Sequence, residues 1–264
     1  MDISERAETG EAELPTVAIG PVRVARATRE EAISFLVEAL RAGHRHLVAF
    51  ANAHGLLMAM DDPAYAETLR NFLVLNDGIG AEIGARALYG QGFPDNLNGT
   101  DLIPALLAAA PPDTRVFLLG AKQDIVECAA AIFAGRYPHL VICGARDGYF
   151  SREDEEEIAR DIADANTDIL LVAMGNPLQE ELIGRIFEQS AATLAFGVGA
   201  LFDFTAGAAV RAPEALRASG MEWVYRLARE PRRLGRRYTT GVLRYLWKIA
   251  CLTVRTRLFR ARSV

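Results

Sequence analysis

The sequence predicts an α/β fold: a doubly wound, Rossmann-like and mostly parallel sheet with a basic helical appendage at its C-terminal end. Three observations lead there. Short apolar, β-branched runs alternate with helical patterns from about residue 20 onward; the alternation stops after Ala212-Pro213; and positive charge collects in the stretch that follows.

Residues 1–18 read as a disordered acidic tail, because the first 14 residues are polar and hold no apolar segment of the secretory type. The α/β domain is assigned to 19–215. Strands are expected over 46–52, 72–76, 115–120, 140–144, 168–175 and 193–198, where near-continuous apolar composition marks strands buried on both faces. Helices are expected over 29–42, 63–71, 79–89, 101–110, 123–137, 152–165 and 178–189. Thr28 with Glu31, and Ser151 with Asp154, have the spacing of an N-cap and its reciprocal carboxylate. Residues 216–264 form the appendage, with helices over 221–230 and 236–262 separated by Pro231.

The 264 residues, 51% hydrophobic and 24% charged, have the profile of a soluble globular protein with a proper core. No run of about 18 apolar residues suggests a membrane span. Cys128, Cys143 and Cys251 are scattered, so a disulfide framework or zinc site is not expected and a reducing cytoplasm is the default. The net charge of −5 hides an asymmetry: residues 217–264 carry 13 Lys/Arg against Glu222 and Glu230, while the first 216 residues carry 16 basic and 32 acidic side chains. Such a block seeks an anionic partner. On a helical wheel Arg237, Arg244, Lys248, Arg255 and Arg262 fall within roughly 40° of one another, with Leu243, Leu246, Trp247, Ile249 and Val254 mainly elsewhere. This amphipathic pattern suits an anionic membrane surface, or docking over the domain's own cleft. A helix simply packed on the core is the plain alternative.

In an open parallel sheet ligands bind beyond the carboxyl ends of the strands. Four expected strand ends carry polar or glycine-rich sequence: Asn52, Asp77-Gly78, Gly175-Asn176-Pro177-Leu178-Gln179-Glu180, and Gly197-Val198-Gly199 with Asp203. Each has an innocent reading. Asp77-Gly78 also fits a turn, and Gln179-Glu180 also fits a helix first turn favouring the dipole.

In order along the chain, these motifs join Gly99-Thr100-Asp101-Leu102, Val116–Gly120, Gly148-Tyr149-Phe150, Ala206-Gly207, Arg211-Ala212-Pro213, Glu222-Trp223-Val224-Tyr225-Arg226 and Glu230-Pro231-Arg232-Arg233. Together they resemble the WecG/TagA/CpsF glycosyltransferases over roughly residues 20 to 237. The resemblance implies an inverting, metal-independent transfer from a UDP-sugar to an undecaprenyl-diphosphate-linked acceptor in cell-surface polymer synthesis. The enzyme would sit peripherally on the cytoplasmic face of the plasma membrane. It implies Asp77 as general base, with Asn52 and Gln179 in the same pocket. Gly175, Asn176, Gly197, Gly199 and Asp203 would lie about the donor, and Arg226, Arg233 and Arg236 would close over its diphosphate. Arg237, Arg244, Lys248 and Arg255 would meet the membrane. No metal, cofactor or nucleic acid is called for, and a homo-oligomer is compatible. The chain departs from the family pattern at Phe50, Asn76, Leu178 and the stretch Asp95-Asn96-Leu97-Asn98.

The chemistry of those residue types agrees. Inverting transfer needs a base for the acceptor hydroxyl, which a strand-end carboxylate can be. It also needs positive charge for the departing diphosphate, which arginines supply. Two rivals remain. A nucleotide-dependent oxidoreductase would use the run Gly78-Ile79-Gly80-Ala81-Glu82-Ile83-Gly84 as a dinucleotide turn, although it does not follow the first expected strand. A non-enzymatic membrane subunit would use only the tail. His44 and His46 have metal-like spacing without an apparent third ligand, and His54 follows Asn52 at the start of a helix, near the pocket.

Overall fold

The structure, a computed structural model, describes residues 14–213, 216, 222–229, 235 and 237–262. Eight strands form one sheet: β1 (Thr16–Ile19), β2 (Val22–Ala25), β3 (His46–Ala51), β4 (Phe72–Asn76), β5 (Arg115–Gly120), β6 (Val141–Arg146), β7 (Ile169–Ala173) and β8 (Leu194–Gly197). Their order is β1-β2-β4-β3-β8-β7-β5-β6, all parallel except the β1–β2 hairpin. The six expected strands are all present.

Helices cover both faces. One face packs on α2 (Ala53–Asp61), α3 (Pro63–Leu69), α4 (Ile79–Tyr89), α7 (Glu155–Asp164), α8 (Leu178–Ser190) and α11 (Val242–Arg262). The other packs on α1 (Arg29–Ala42), α5 (Gly99–Ala109), α6 (Gln123–Arg136) and α9 (Leu201–Thr205). A further helix, α10 (Glu222–Arg229), precedes α11. The doubly wound architecture is therefore as expected. Local chemistry sets its boundaries. The Thr28 hydroxyl accepts from the Glu31 amide and the Glu31 carboxylate from the Thr28 amide, while Gly43, at φ 71°, ends α1. Ser151 and Asp154 make the same reciprocal pair ahead of α7.

One boundary differs from expectation. The acidic tail does not extend to residue 18, because Thr16–Ile19 turns at Gly20 and pairs with Val22–Ala25. The helix expected to start after Asn52 is α2, with apolar side chains on most of its surface. Leu201–Thr205 forms a short helix after β8.

The C-terminal helix is built into the body. Tyr245 and Ile249 are 1% and 2% exposed and belong to the core of the first face. The Tyr245 hydroxyl donates to the Gly80 carbonyl at 2.7 Å. Gly84 makes the room: a Cβ there would stand 2.7 Å from the Tyr245 Oη, and a Cβ on Gly80 would stand 2.5 Å from that of Ala53. The glycine run that imitates a dinucleotide turn is thus spent on close helix packing. On the flank of α11, Arg244 and Lys248 both pair with Asp61, and Lys248 Nζ donates to the Met60 carbonyl at 3.1 Å. These cations satisfy the negative C-terminal end of α2. Two members of the expected membrane stripe, Arg244 and Lys248, therefore turn toward the protein. Arg255 is exposed, and the Arg237 side chain lies outside the described residues. Beside Arg244 and Arg255, α11 exposes the large apolar side chains Leu243, Trp247 and Val254, at 68%, 71% and 58% exposure.

Candidate active site

The chain leaves β3 toward the first face, into α2, and leaves the adjacent β8 toward the second, into α9. Neighbouring strands whose connections depart on opposite faces open a crevice at their carboxyl ends, which is where such sheets bind ligands. Asn52 follows β3 on one side of this crevice, and Gly197-Val198-Gly199 closes β8 on the other. Asp77 follows β4, the next strand out, so the three expected strand ends meet at one edge.

Asn52 is the N-cap of α2. Its Oδ1 accepts from the amides of His54 and Gly55, both at 3.1 Å. Its Nδ2 is thereby turned outward and reaches the Asp77 Oδ2 at 3.4 Å. Both residues are half-buried. Asp77 in turn hangs from the sheet through its own amide, bonded to the Ala51 carbonyl at 3.0 Å. Two residues that depart from the family pattern hold the facing loop: Asn76 Nδ2 donates to the Asp95 carbonyl at 2.9 Å, and Asn96 Oδ1 accepts from the Gly78 amide at 2.8 Å. Phe50, another departure, is 7% exposed, with its ring on the face of Gly99 at the start of α5.

Gln179 takes a different part from the one expected. It is 2% exposed. Its Oε1 accepts from the amides of Gly175 and Gly199, both at 3.0 Å, and its Nε2 donates to Glu180 Oε1 at 2.7 Å. With both ends of its amide engaged it braces the loops after β7 and β8. The Gly175 and Gly199 amides, being occupied, are likewise not free to hold a phosphate. Both glycines adopt positive φ, 78° and 56°. Asn176 donates through Nδ2 to Glu180 Oε1 at 2.8 Å and to the Tyr65 hydroxyl at 3.3 Å. Asp203 sits half-buried in α9.

Sequence reading named no catalytic or binding role for Tyr65, Glu180 or Arg211. Glu180 is fully buried, and its carboxyl is pushed up to about 7 by burial, against the opposing hydrogen bonds of Gln179, Tyr65 and Asn176. Tyr65, 2% exposed, donates to Glu180 Oε2 at 3.3 Å, and burial followed by the Glu180 charge raises its hydroxyl pKa. Arg211 joins two motifs that the sequence lists far apart: its Nη1 meets Asp101 at 2.7 Å, and its Nε lies 4.0 Å from Glu222 at the start of α10. Asp101 is itself held by Asn98 Nδ2 at 2.9 Å. Arg233 and Arg236, and the side chain of Arg226, lie outside the described residues. Among the described residues no three His, Cys, Asp or Glu side chains gather as a metal site, and no helix is long and apolar enough to cross a membrane.

The model of the glycosyl transferase WecG/TagA/CpsF family matches residues 17–262. A relative from Bacillus subtilis (strain 168), N-acetylglucosaminyldiphosphoundecaprenol N-acetyl-beta-D-mannosaminyltransferase, is 33% identical over 188 residues, which are 70% of this chain and 72% of its own.

Proposed function

The chain belongs to the WecG/TagA/CpsF family of glycosyltransferases, and from that premise we propose that it moves an N-acetylhexosamine-type sugar from a UDP-sugar to an acceptor linked to undecaprenyl diphosphate. The Asn52–Asp77 pair at the crevice between β3, β4 and β8 carries this reading. Asp77 accepts the proton of the acceptor hydroxyl as its oxygen attacks the anomeric carbon. The bond from that carbon to the UDP oxygen breaks on the opposite face, so the configuration inverts. Asn52, its Oδ1 locked by the cap of α2, offers Nδ2 to hold the Asp77 carboxylate in line. Arg226, Arg233 and Arg236 supply the charge that the departing diphosphate needs, which makes a metal unnecessary.

The outer face of α11 supports work at the membrane, where such an acceptor resides. Leu243, Trp247 and Val254 form an exposed apolar strip, and Arg255 stands exposed on the same helix. This is the form of an interfacial helix that lies in the headgroup layer. The contact proposed is with the cytoplasmic face of the plasma membrane, through apolar insertion flanked by cations.

The test is a screen of UDP-sugars against lipid-diphosphate acceptors, with mass spectrometry of the product. A product lengthened by one sugar, formed without divalent metal and abolished by Asp77→Asn, is the expected result. Transfer that requires metal, or that survives the substitution in a folded protein, would overturn the mechanism.

A further inference from the structure

Glu180 lies deepest of the polar residues beside the crevice, and no step of the reaction uses it. It is fully buried in the first turn of α8. Its Oε1 receives two amide donors, Gln179 Nε2 at 2.7 Å and Asn176 Nδ2 at 2.8 Å. Its Oε2 receives the Tyr65 hydroxyl from α3 at 3.3 Å. From β8 comes Gly197, whose missing side chain is a requirement: a Cβ there would stand 2.7 Å from Gln179 Nε2 and 2.9 Å from Glu180 Oε1.

An amide has a donor end and an acceptor end, so a fixed acceptor at one end dictates what the other presents. Oε1 of Glu180 draws the NH2 of Gln179 toward itself and leaves the Gln179 oxygen facing the amides of Gly175 and Gly199, which it holds together. The opposite rotamer would set that NH2 against two N–H donors. One carboxyl oxygen thus decides the orientation of two amides and, through one of them, the spacing of two loops.

We propose that Glu180 is a positioning residue for the donor pocket, whose Oε1 orients Gln179 and Asn176 and so fixes the loops after β7 and β8. The proposal rests on the reading that these loops border the sugar-nucleotide donor. It requires an acceptor at Oε1 and makes no demand for a negative charge there. Protonation on Oε2, beside Tyr65, leaves Oε1 an acceptor, so the brace persists in either state of the carboxyl.

The test compares Glu180→Gln, which keeps an acceptor oxygen, with Glu180→Leu, which keeps approximate volume and removes it. Two quantities are read: the donor KM and kcat at saturating acceptor, and the hydrogen-exchange protection of the Gly175 and Gly199 amides. Glu180→Gln is expected to hold donor KM within about threefold and to keep both amides protected. Glu180→Leu is expected to raise donor KM about tenfold or more, with a smaller change in kcat, and to lower protection at both glycines, the scale of leaving buried polar groups unsatisfied. Should Glu180→Leu fail to fold, Gln179→Met removes the same brace one residue away and is expected to reproduce the KM and protection changes. The proposal is overturned if the Gln and Leu variants behave alike, or if kcat falls while donor KM and both protections hold. A wild-type protein that uses no UDP-sugar refutes the proposed function instead, and the glycine protections, which need no substrate, still decide on the brace.

Discussion

Tyr245→Ala is expected to release the C-terminal helix from the body while the sheet stays folded. Among the described side chains of α11, Tyr245 and Ile249 are the two in the core, at 1% and 2% exposure. Truncating a buried aromatic to alanine costs about 3–5 kcal/mol, and the lost hydrogen bond to Gly80 adds about 1 kcal/mol. What remains is Ile249, at about 1.5–3 kcal/mol of burial, and the pairs on Asp61. The Arg244 and Lys248 side chains are 64% and 32% exposed, so each pair contributes at most about 1 kcal/mol. The loss, about 4–6 kcal/mol, is of the same size as the remainder, which must still offset the entropy of ordering the helix, so α11 is expected to detach. The assay is hydrogen exchange along residues 242–256, with tryptic cleavage at Arg244 and Lys248 and a transfer assay in parallel. Protection of α11 should vanish and those sites open, with β3 and β8 still protected and transfer much reduced. An α11 as protected as before, or one unfolding with the whole sheet in a single transition, would refute this division of energies.

Other perturbations follow from the same geometry. Asp77→Asn should lower transfer about 100-fold or more with UDP affinity intact, measured by single-turnover kinetics beside calorimetry. Asn52→Ala should cost about 1 kcal/mol of stability through the lost cap of α2, as read by chemical denaturation, as well as activity. A stability loss without an activity loss would make it a cap alone. Glu180, raised from 4.5 to about 7, binds its proton more tightly in the folded than in the unfolded chain. Its contribution to stability is therefore fully present below 4.5 and fades as pH rises through 7. Relative to Glu180→Gln, the wild type should lose on the order of 3 kcal/mol between those limits, and parallel stability curves would contradict the burial argument.

The central strands are legible in the sequence because burial on both faces leaves runs such as Ile169–Ala173 and Phe72–Asn76 nearly free of polar residues. The edge hairpin is not: Thr16–Ile19 is only partly buried, and it adjoins an acidic stretch whose composition dominates the reading. The Val-Ala-Ile-Gly-Pro-Val-Arg-Val alternation around Gly20-Pro21 was the available signal. Asn52 and Asp77 could be picked out because strand ends point at ligands. Gln179 could not be told from a ligand contact, since its burial depends on Gly197, Gly199 and Glu180 closing around it. The wheel gathered Arg244 and Lys248 on one stripe. It could not say which way that stripe faces, because Asp61 lies 183 residues before Arg244.

The Tyr245–Gly80 bond spans 165 residues, and the Lys248–Met60 bond 188. Chains are made from the amino end, and domains begin to fold as they emerge. The turn that carries Asp77 is therefore synthesised early and lacks its support until α11, the last-made of the described elements, has been delivered. During that interval the notch at Gly80 and Gly84 stands open, an apolar gap awaiting a side chain not yet translated. A chain arrested before α11 would hold the sheet with the Asp77 turn unsupported and an apolar groove exposed. The turn at Asp77 thus gains this support only once α11 has been made.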